Sequence, residues 1–374
     1  MLDHVTERPA RAARTKARQP FIDCDIHNYI QSDAVLMRYL DPHWHNHHRT
    51  YGHRSNPALT FHGAPYPRLA GVGKRKDAAP PSGLTAGADF DFFRQQHLDA
   101  LPIEYGILNC LSRVGDQLNS DYDAALARAM NDWQSAEWLA ADERLLGSIM
   151  VPYEDGDLAA EEIRRMAADK RCAQVLLKPR TREPLGRKRY WKIYEAAEAN
   201  DLPIAVHFGG YSQNPITSSG WSSFYFEDHT NMPQTFQAHL ISLVCEGVFE
   251  RFPRLRIICV EGGFAWLPSL MWRMDKHLKR LADEVPHVTR RPSDLVREHI
   301  RFTTQPMEEA PNPQHILQVI EHFETDEMLM FATDYPHWDY DNPDRVLEKL
   351  PEALRRKIFV ENARKFYGLE PRAA

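Results

Sequence analysis

Short apolar runs recur along the chain from Phe21 onward, and most are followed by a stretch with helical periodicity. The strand candidates are Phe21 to Asp25, Tyr105 to Cys110, Leu145 to Val151, Ala173 to Leu177, Pro203 to Phe208, Arg256 to Val260, Ile300 to Thr304 and Met328 to Thr333, eight in all. They are near-continuously apolar instead of alternating, which fits strands covered on both faces. Helical patterns fill the intervals, at Asp121 to Ala140, Leu158 to Ala168, Arg189 to Ala199, Gln234 to Glu250, Phe264 to Leu281 and Pro313 to Glu321. This alternation implies parallel strands joined by helical crossovers. Eight units in 374 residues favour a closed (β/α)8 TIM barrel over an open doubly wound sheet. The open sheet also lacks its usual support, because no Gly-rich phosphate fingerprint follows the first strand. Pro351 to Phe359 and Glu361 to Tyr367 read as helices closing the barrel.

One segment breaks the rhythm. Asn28 to Gln96 is a long insertion after strand 1, and its middle, Pro65 to Ala88, is rich in Gly, Pro, Ala and Lys and reads as a mobile loop. The preceding DPHWHNHHRTYGH holds five of the eighteen histidines, expected mostly at the rim. An excursion from the end of strand 1 lands over the C-terminal rim, so residues 28–96 are expected to form a lid or an oligomer contact. Residues 1–20 are Arg-rich without an apolar signal core and read as a disordered or packing arm, leaving 21–374 as the barrel.

Charge and cysteine content narrow the partners. The 46 Lys and Arg are spread along a chain of net charge -6, which argues against nucleic acid. The five cysteines have no CxxC spacing and read as reduced, buried thiols of a cytoplasmic protein. No stretch approaches the roughly 20 apolar residues of a membrane span.

Chemistry concentrates at strand ends, where barrel enzymes place their active sites. Asp25 and His27 end the first strand, Lys178 the fourth, His207 the fifth, Glu261 the sixth and Asp334 the eighth. Residues two apart on an extended segment share a face, so Asp25 and His27 can reach one ion. With His207 and Asp334 they offer two imidazoles and two carboxylates, a set that suits a divalent cation.

The runs IDCDIH, VHFGG, FPRLRIICVEGGFAWLP and FATDYPHWD resemble the amidohydrolase superfamily, in the branch typified by aminocarboxymuconate-semialdehyde decarboxylase. The similarity spans Phe21 to about Leu369, with the insertion less well matched. It implies a distorted (β/α)8 barrel holding one divalent metal, zinc first and manganese as the alternative, in a homodimer or larger homo-oligomer acting on a small molecule. It further implies that the branch's metal-binding pair falls on Asp25 and His27, its strand-five histidine on His207 and its strand-eight aspartate on Asp334. Asp25 replaces a histidine of the pattern, which hardens the site toward manganese. Glu261 stands where the branch often has a histidine.

Glu261 is therefore open to several roles: general base, further ligand, or partner of a histidine from elsewhere. Its structural alternative is to cap the helix beginning near Phe264. His239 is a candidate for the missing histidine, although it shares a helical face with Phe236, Leu240 and Leu243 and equally reads as a core residue. His337 can reach the site from its loop or anchor Asp334. His229 lies in a stretch long enough to fold over the mouth. Lys178 and Arg180 are candidate counter-ions for a substrate carboxylate, and a Lys178-bridged two-metal site is the less favoured variant. Trp44, Tyr51, Trp221, Phe224, Tyr225, Trp266 and Trp338 are candidates to pack on a planar substrate. The expected reaction is non-oxidative decarboxylation of an aromatic or unsaturated acid, with the metal holding the substrate carboxylate and Asp334 protonating the ring or alkene carbon. The alternatives are hydrolysis by metal-activated water and, more remotely, a non-catalytic metal-binding scaffold.

Overall fold

A computed structural model describes residues 19–52, 73–209 and 215–372. Eight strands lie in one parallel sheet in sequence order: β1 (Phe21–Ile26), β2 (Ile103–Leu108), β3 (Leu145–Met150), β4 (Cys172–Leu177), β5 (Ile204–His207), β6 (Ile257–Val260), β7 (Ile300–Thr303) and β8 (Leu329–Met330). Every residue of β1, β3, β5 and β6 is buried, as expected for strands enclosed by helices outside and side chains within. The barrel expectation is met.

The crossover helices form where the periodicity predicts. They include α4 (Ser120–Gln134), α5 (Gly156–Met166), α6 (Trp191–Ala199), α8 (Met232–Cys245) and α9 (Leu267–Leu281), whereas α1 (Asp33–Tyr39), α2 (His45–Tyr51), α3 (Phe90–Phe93) and α7 (Tyr225–Thr230) lie in segments where no helix was predicted. In α5 the side chain of Asp155 accepts from the backbone N–H of Asp157 and Leu158, while Ala159, Ala160, Ile163 and Met166 turn inward. A helix at Pro292–His299, before β7, was not expected from the pattern; its Pro at the first turn and two Arg-rich flanks hide a short apolar face of Leu295 and Val296.

Three corrections concern the insertion and the thiols. The described part of the Gly-rich stretch is pinned, not loose: Trp338 N–H donates to Gly73 O at 2.7 Å, Arg75 N–H to Pro336 O at 2.9 Å and Tyr29 N–H to Gly87 O at 2.8 Å. Residues 65–72 of that stretch, and 1–18 of the arm, lie outside the described residues. Before and after it the insertion is helical, as α1, α2 and α3. Four cysteines are buried as expected, whereas Cys245 is exposed near the end of α8. Among the described residues no helix is long and apolar enough to cross a membrane.

The barrel closes between β8 and β1 without a regular ladder. Cys24 N–H donates to Phe331 O at 3.0 Å, His27 N–H to Tyr335 O at 2.7 Å and Asp334 N–H to Asp25 O at 3.1 Å. Asp23, fully buried, reinforces this seam from its outer side. Its carboxylate accepts from Thr333 N–H at 2.9 Å and Thr333 Oγ1 at 2.6 Å, and lies 2.9 Å from His97 Nε2 at the insertion's last turn. One side chain thus joins the first strand, the last strand and the insertion.

Removing a buried acceptor leaves each donor unsatisfied, at about 1–3 kcal/mol apiece. Asp23→Ala is expected to lower stability by about 2–4 kcal/mol in urea unfolding, and Asp23→Asn, which retains one acceptor, by less. Equal stability of Asp23→Ala and the parent protein would remove this role from Asp23.

Candidate metal centre

The cluster is assembled from strand ends. Asp25 and His27 point inward from β1, His207 ends β5, Glu261 follows β6 and Asp334 follows β8, and all five are buried. Asp25 Oδ2 lies 3.1 Å from His207 Nε2, and His27 Nε2 lies 2.8 Å from Asp334 Oδ1 and 3.3 Å from Asp25 Oδ1. Glu261 Oε2 is 3.5 Å from His207 Nδ1 and its Oε1 is 3.9 Å from His337 Nδ1. Two overlapping groups have ligand atoms within 4.8 Å of one another: Asp25, His27, His207 and Glu261, and His27, Glu261, Asp334 and His337.

The imidazoles are oriented from behind. His27 Nδ1 donates to Asn109 O at 2.7 Å and His207 Nδ1 to Phe208 O at 2.5 Å, so both Nε2 lone pairs face the carboxylates. A lone pair cannot rest against a carboxylate oxygen without a cation between them. A proton can serve, and so can a metal. His27 Nε2 is buried between carboxylate oxygens, 2.8 Å from Asp334 Oδ1 and 3.3 Å from Asp25 Oδ1, the surroundings of an ion ligand. The imidazole nitrogens and carboxylates present fit a divalent ion: His27 and Glu261 belong to both groups, Asp25 and His207 complete one, and Asp334 and His337 complete the other.

Electrostatics point the same way. Burial alone would raise Asp25, but the His207 and His27 imidazoles hold its carboxyl well below the usual range. Burial, reinforced by the Asp334 charge, pushes Glu261 well above the usual range. Asp334 is raised too, by burial acting against its His27 hydrogen bond. Burial holds His337 well below its ordinary value, hence neutral. Its Nδ1 then donates to Asp334 Oδ1 at 2.6 Å and its Nε2 accepts from the Tyr29 hydroxyl at 2.9 Å.

Backbone conformation aims two of the carboxylates. Glu261 has φ 58° and Asp334 φ 62°, a left-handed geometry that costs a non-Gly residue about 1–3 kcal/mol and persists only when its surroundings impose it. For Glu261 the restraint includes its N–H bond to Thr303 Oγ1 at 3.1 Å; for Asp334 it includes the seam bond to Asp25 O and acceptance of His337 N–H at 2.8 Å. The proposed helix cap for Glu261 is absent, because Glu308 Oε1 takes that place, accepting from Phe264 N–H at 2.9 Å and Ala265 N–H at 3.1 Å.

Other candidates separate clearly. His337 joins the cluster. His239 does not: its Nε2 donates to Pro179 O at 2.5 Å and its Nδ1 accepts from Leu185 N–H at 3.1 Å, which makes it a core histidine bracing the loop after β4. Trp266 is likewise structural, donating to Gly262 O at 3.0 Å and packing edge-on against Phe302. Lys178 and Arg180 line the adjoining cavity but are compensated, Lys178 by Asp116 at 2.8 Å and two carbonyls, Arg180 by Asp228 at 2.9 Å. Lys178 is thus held away from any bridging position. His229 also lines the cavity, 3.1 Å from Asp339 and beside Tyr225 and Trp338.

Sequence reasoning missed Asn109, Tyr29 and Gln305. Asn109 follows β2 and donates to Asp25 Oδ1 at 2.8 Å, and its own Oδ1 accepts from Ser148 Oγ at 2.6 Å and Gln174 at 3.0 Å. Gln305 follows β7 and donates to Asp334 Oδ2 at 3.1 Å. Both obey the strand-end rule, so the signal was present, carried by amides and not by charged groups.

Comparison with known proteins bears on the family and the fold. The family model described as Amidohydrolase matches residues 22–369. A gamma-resorcylate decarboxylase of Rhizobium sp. (strain MTP-10005) is 27% identical over 75% of this chain and 88% of its own. The crystal structure of 2,6-dihydroxybenzoate decarboxylase from Rhizobium superposes with TM-score 0.61 at 25% identity, covering 76% of this chain and 90% of that one. The structure of a dihydroxybenzoic acid decarboxylase from Polaromonas sp. JS666, with bound manganese and 2-nitroresorcinol, gives TM-score 0.63 at 21% identity over 94% and 97% of the two chains.

Loss of a group that orients metal ligands typically weakens metal affinity by about 10–100-fold. Asn109→Ala is expected to weaken manganese binding by about that much, read by titration against a competing chelator, with circular dichroism unchanged. The Asp25→Ala, His207→Ala double variant is expected to lose the ion altogether; parental affinity in either protein would count against this centre.

Proposed function

Because the chain belongs to the amidohydrolase family, we propose that it is a metal-dependent carboxy-lyase that removes carbon dioxide from a hydroxylated aromatic acid. The likeness to gamma-resorcylate decarboxylases over most of their length supports the substrate class. The observation that carries the chemistry is Glu261: a buried carboxyl, raised by burial, on the wall of the cavity that adjoins the cluster.

The reaction needs an anchored carboxylate and a proton delivered to the ring carbon that bears it. A bound divalent ion supplies a positive anchor for the substrate carboxylate and a neighbouring phenol oxygen. Asp25, His27, His207 and Asp334 hold that ion in this proposal, and Asn109 and Gln305 hold two of them in place. The manganese bound in the Polaromonas dihydroxybenzoic acid decarboxylase structure, with two carboxylates among the donors here, supports manganese over the zinc first expected. Glu261 gives its proton to the ring carbon, and as the bond to the carboxyl carbon breaks, its electron pair returns to the ring and carbon dioxide departs. His337 neighbours both Glu261 and Asp334 and is bonded to Tyr29, a route by which the proton is replaced.

Dihydroxybenzoates should release carbon dioxide in a manganese-dependent assay, and Glu261→Gln should lower kcat by about 100-fold or more with the metal retained. Turnover confined to a parallel panel of esters, amides and lactones would replace this reading with hydrolysis. Near-parental kcat in Glu261→Gln would move the proton donor elsewhere.

A further inference from the structure

The cavity beside the cluster has a volume of about 440 Å³, and its wall toward the insertion and β2 is mixed, with Asp33, Lys74, Thr85, Ser112 and Arg113 among aliphatic side chains. Charge on this wall decides what it can receive. Lys178 and Arg180, which line the cavity from the segment after β4, are matched by Asp116 and Asp228. Asp33 stands at the outer edge, its side chain 82% exposed and 3.8 Å from His48 Nε2. Lys74 is placed differently.

The half-buried ammonium of Lys74 donates to Ala86 O at 2.7 Å and to Thr85 Oγ1 at 3.0 Å, and it sits 3.3 Å from the centre of the Tyr29 ring. All three partners are neutral. Burial lowers its pKa to about 8, and among the described residues no carboxylate counters that effect. Residues 53–72, which precede this stretch, contain no Asp or Glu. A buried charge without a counter-ion costs free energy that a ligand anion can recover.

The position suits an aromatic substrate. Lys74 pairs with His337 in an antiparallel bridge, and the Tyr29 hydroxyl is 2.9 Å from His337 Nε2. One tyrosine ring and one imidazole therefore separate the ammonium from the Asp334 carboxylate, which His337 Nδ1 meets at 2.6 Å. An aromatic ring bearing a carboxylate on each side has a comparable span. The third ammonium hydrogen of Lys74 and the hydroxyl hydrogen of Thr85 are enough for both oxygens of one carboxylate. A monocarboxylate spends its charge at the cluster and a phenol hydroxyl is neutral near pH 7, so neither compensates Lys74.

Resting on the carboxy-lyase reading, we infer that Lys74 binds a second carboxylate of the substrate, a hydroxyaryl dicarboxylic acid whose first carboxylate goes to the cluster. The carboxylate at the cluster leaves as carbon dioxide and the proton from Glu261 takes its place on the ring, while the carboxylate at Lys74 is retained. A charge-assisted hydrogen bond of this kind is worth about tenfold or more in affinity.

The test uses the manganese-loaded protein with hydroxyterephthalate and hydroxyisophthalate, each with one carboxylate beside the hydroxyl and the second para or meta to the first. Each diacid is compared with its methyl ester at the second carboxylate, by calorimetric binding and by carbon dioxide release. The better-bound diacid is expected to bind at least about tenfold tighter than its ester, and Lys74→Met is expected to cut that ratio at least about fivefold. Equal or weaker binding of both diacids by the parent protein would overturn the inference, and needs no variant to fold. A preference for the diacid left intact in Lys74→Met would assign it to another cation of the wall, such as Arg113, and overturn the inference as well. Tight diacid binding that depends on Lys74 but yields no carbon dioxide supports the Lys74 site while removing the decarboxylase reading; carbon dioxide release from the ester with no preference for the diacid does the reverse.

Discussion

Everything at the centre of this protein depends on the seam where the last strand meets the first. A (β/α)8 barrel has to bring its two ends together against the entropy of more than 300 intervening residues, and here β8 is too short to do so by a ladder. Closure rests on three backbone hydrogen bonds, with Asp23 bonded to both the backbone and hydroxyl of Thr333. The same seam sets the site. The backbone groups of Asp25 and His27 make two of its three bonds, and Asp334 is fixed by donating its N–H to Asp25 O. Fold closure and site geometry are therefore one constraint, and loosening the seam separates the ligands as it opens the barrel.

The second constraint is charge. Three carboxylates buried within a few ångströms of each other cannot all ionise without compensating positive charge, and His337 beside them is held neutral by burial. Elsewhere the protein settles its buried charges locally, as Lys178 with Asp116 and Arg180 with Asp228 show. At the cluster it does not. The left-handed backbone at Glu261 and Asp334 adds a conformational cost to the electrostatic one, and both costs are offset only if something positive occupies the space between the side chains. A binding site differs in this way from a structural salt bridge: it is left incomplete by the chain itself.

How much of this was legible in the sequence follows from what each feature needs. Continuous apolar runs report strands buried on both faces, so all eight were placed to within a few residues; the exception in length is β8, predicted as Met328 to Thr333 but only Leu329–Met330, because the chain after Met330 bends to form the seam. Asp25, His27, His207, Glu261 and Asp334 were legible because a charged residue at the end of an apolar run is unusual. Asn109 and Gln305 occupy the same kind of position, but an amide there has too many ordinary explanations to stand out. The conformation of Glu261 was not legible at all, since a positive φ at a non-Gly residue is imposed by contacts distant in sequence. His239 shows the converse error: a histidine on the inner face of α8 looks like a ligand until the backbone groups of the loop after β4 are seen to take both of its nitrogens.

The described part of the insertion is pinned to the seam. Gly73 and Arg75 are bonded to the turn that carries Pro336 and Trp338, and Gly87 accepts from Tyr29 two residues past His27. Gly87 itself, at φ 79°, comes so close that a Cβ would meet His27 O at 2.5 Å, so only glycine allows the loop to lie there. The described end of the insertion is thus registered on both lips of the seam. Ligands come from the barrel strands, whose positions closure dictates. The insertion adds Tyr29, Leu36 and Lys74 to the lining of the adjoining cavity without altering the seam that sets those positions.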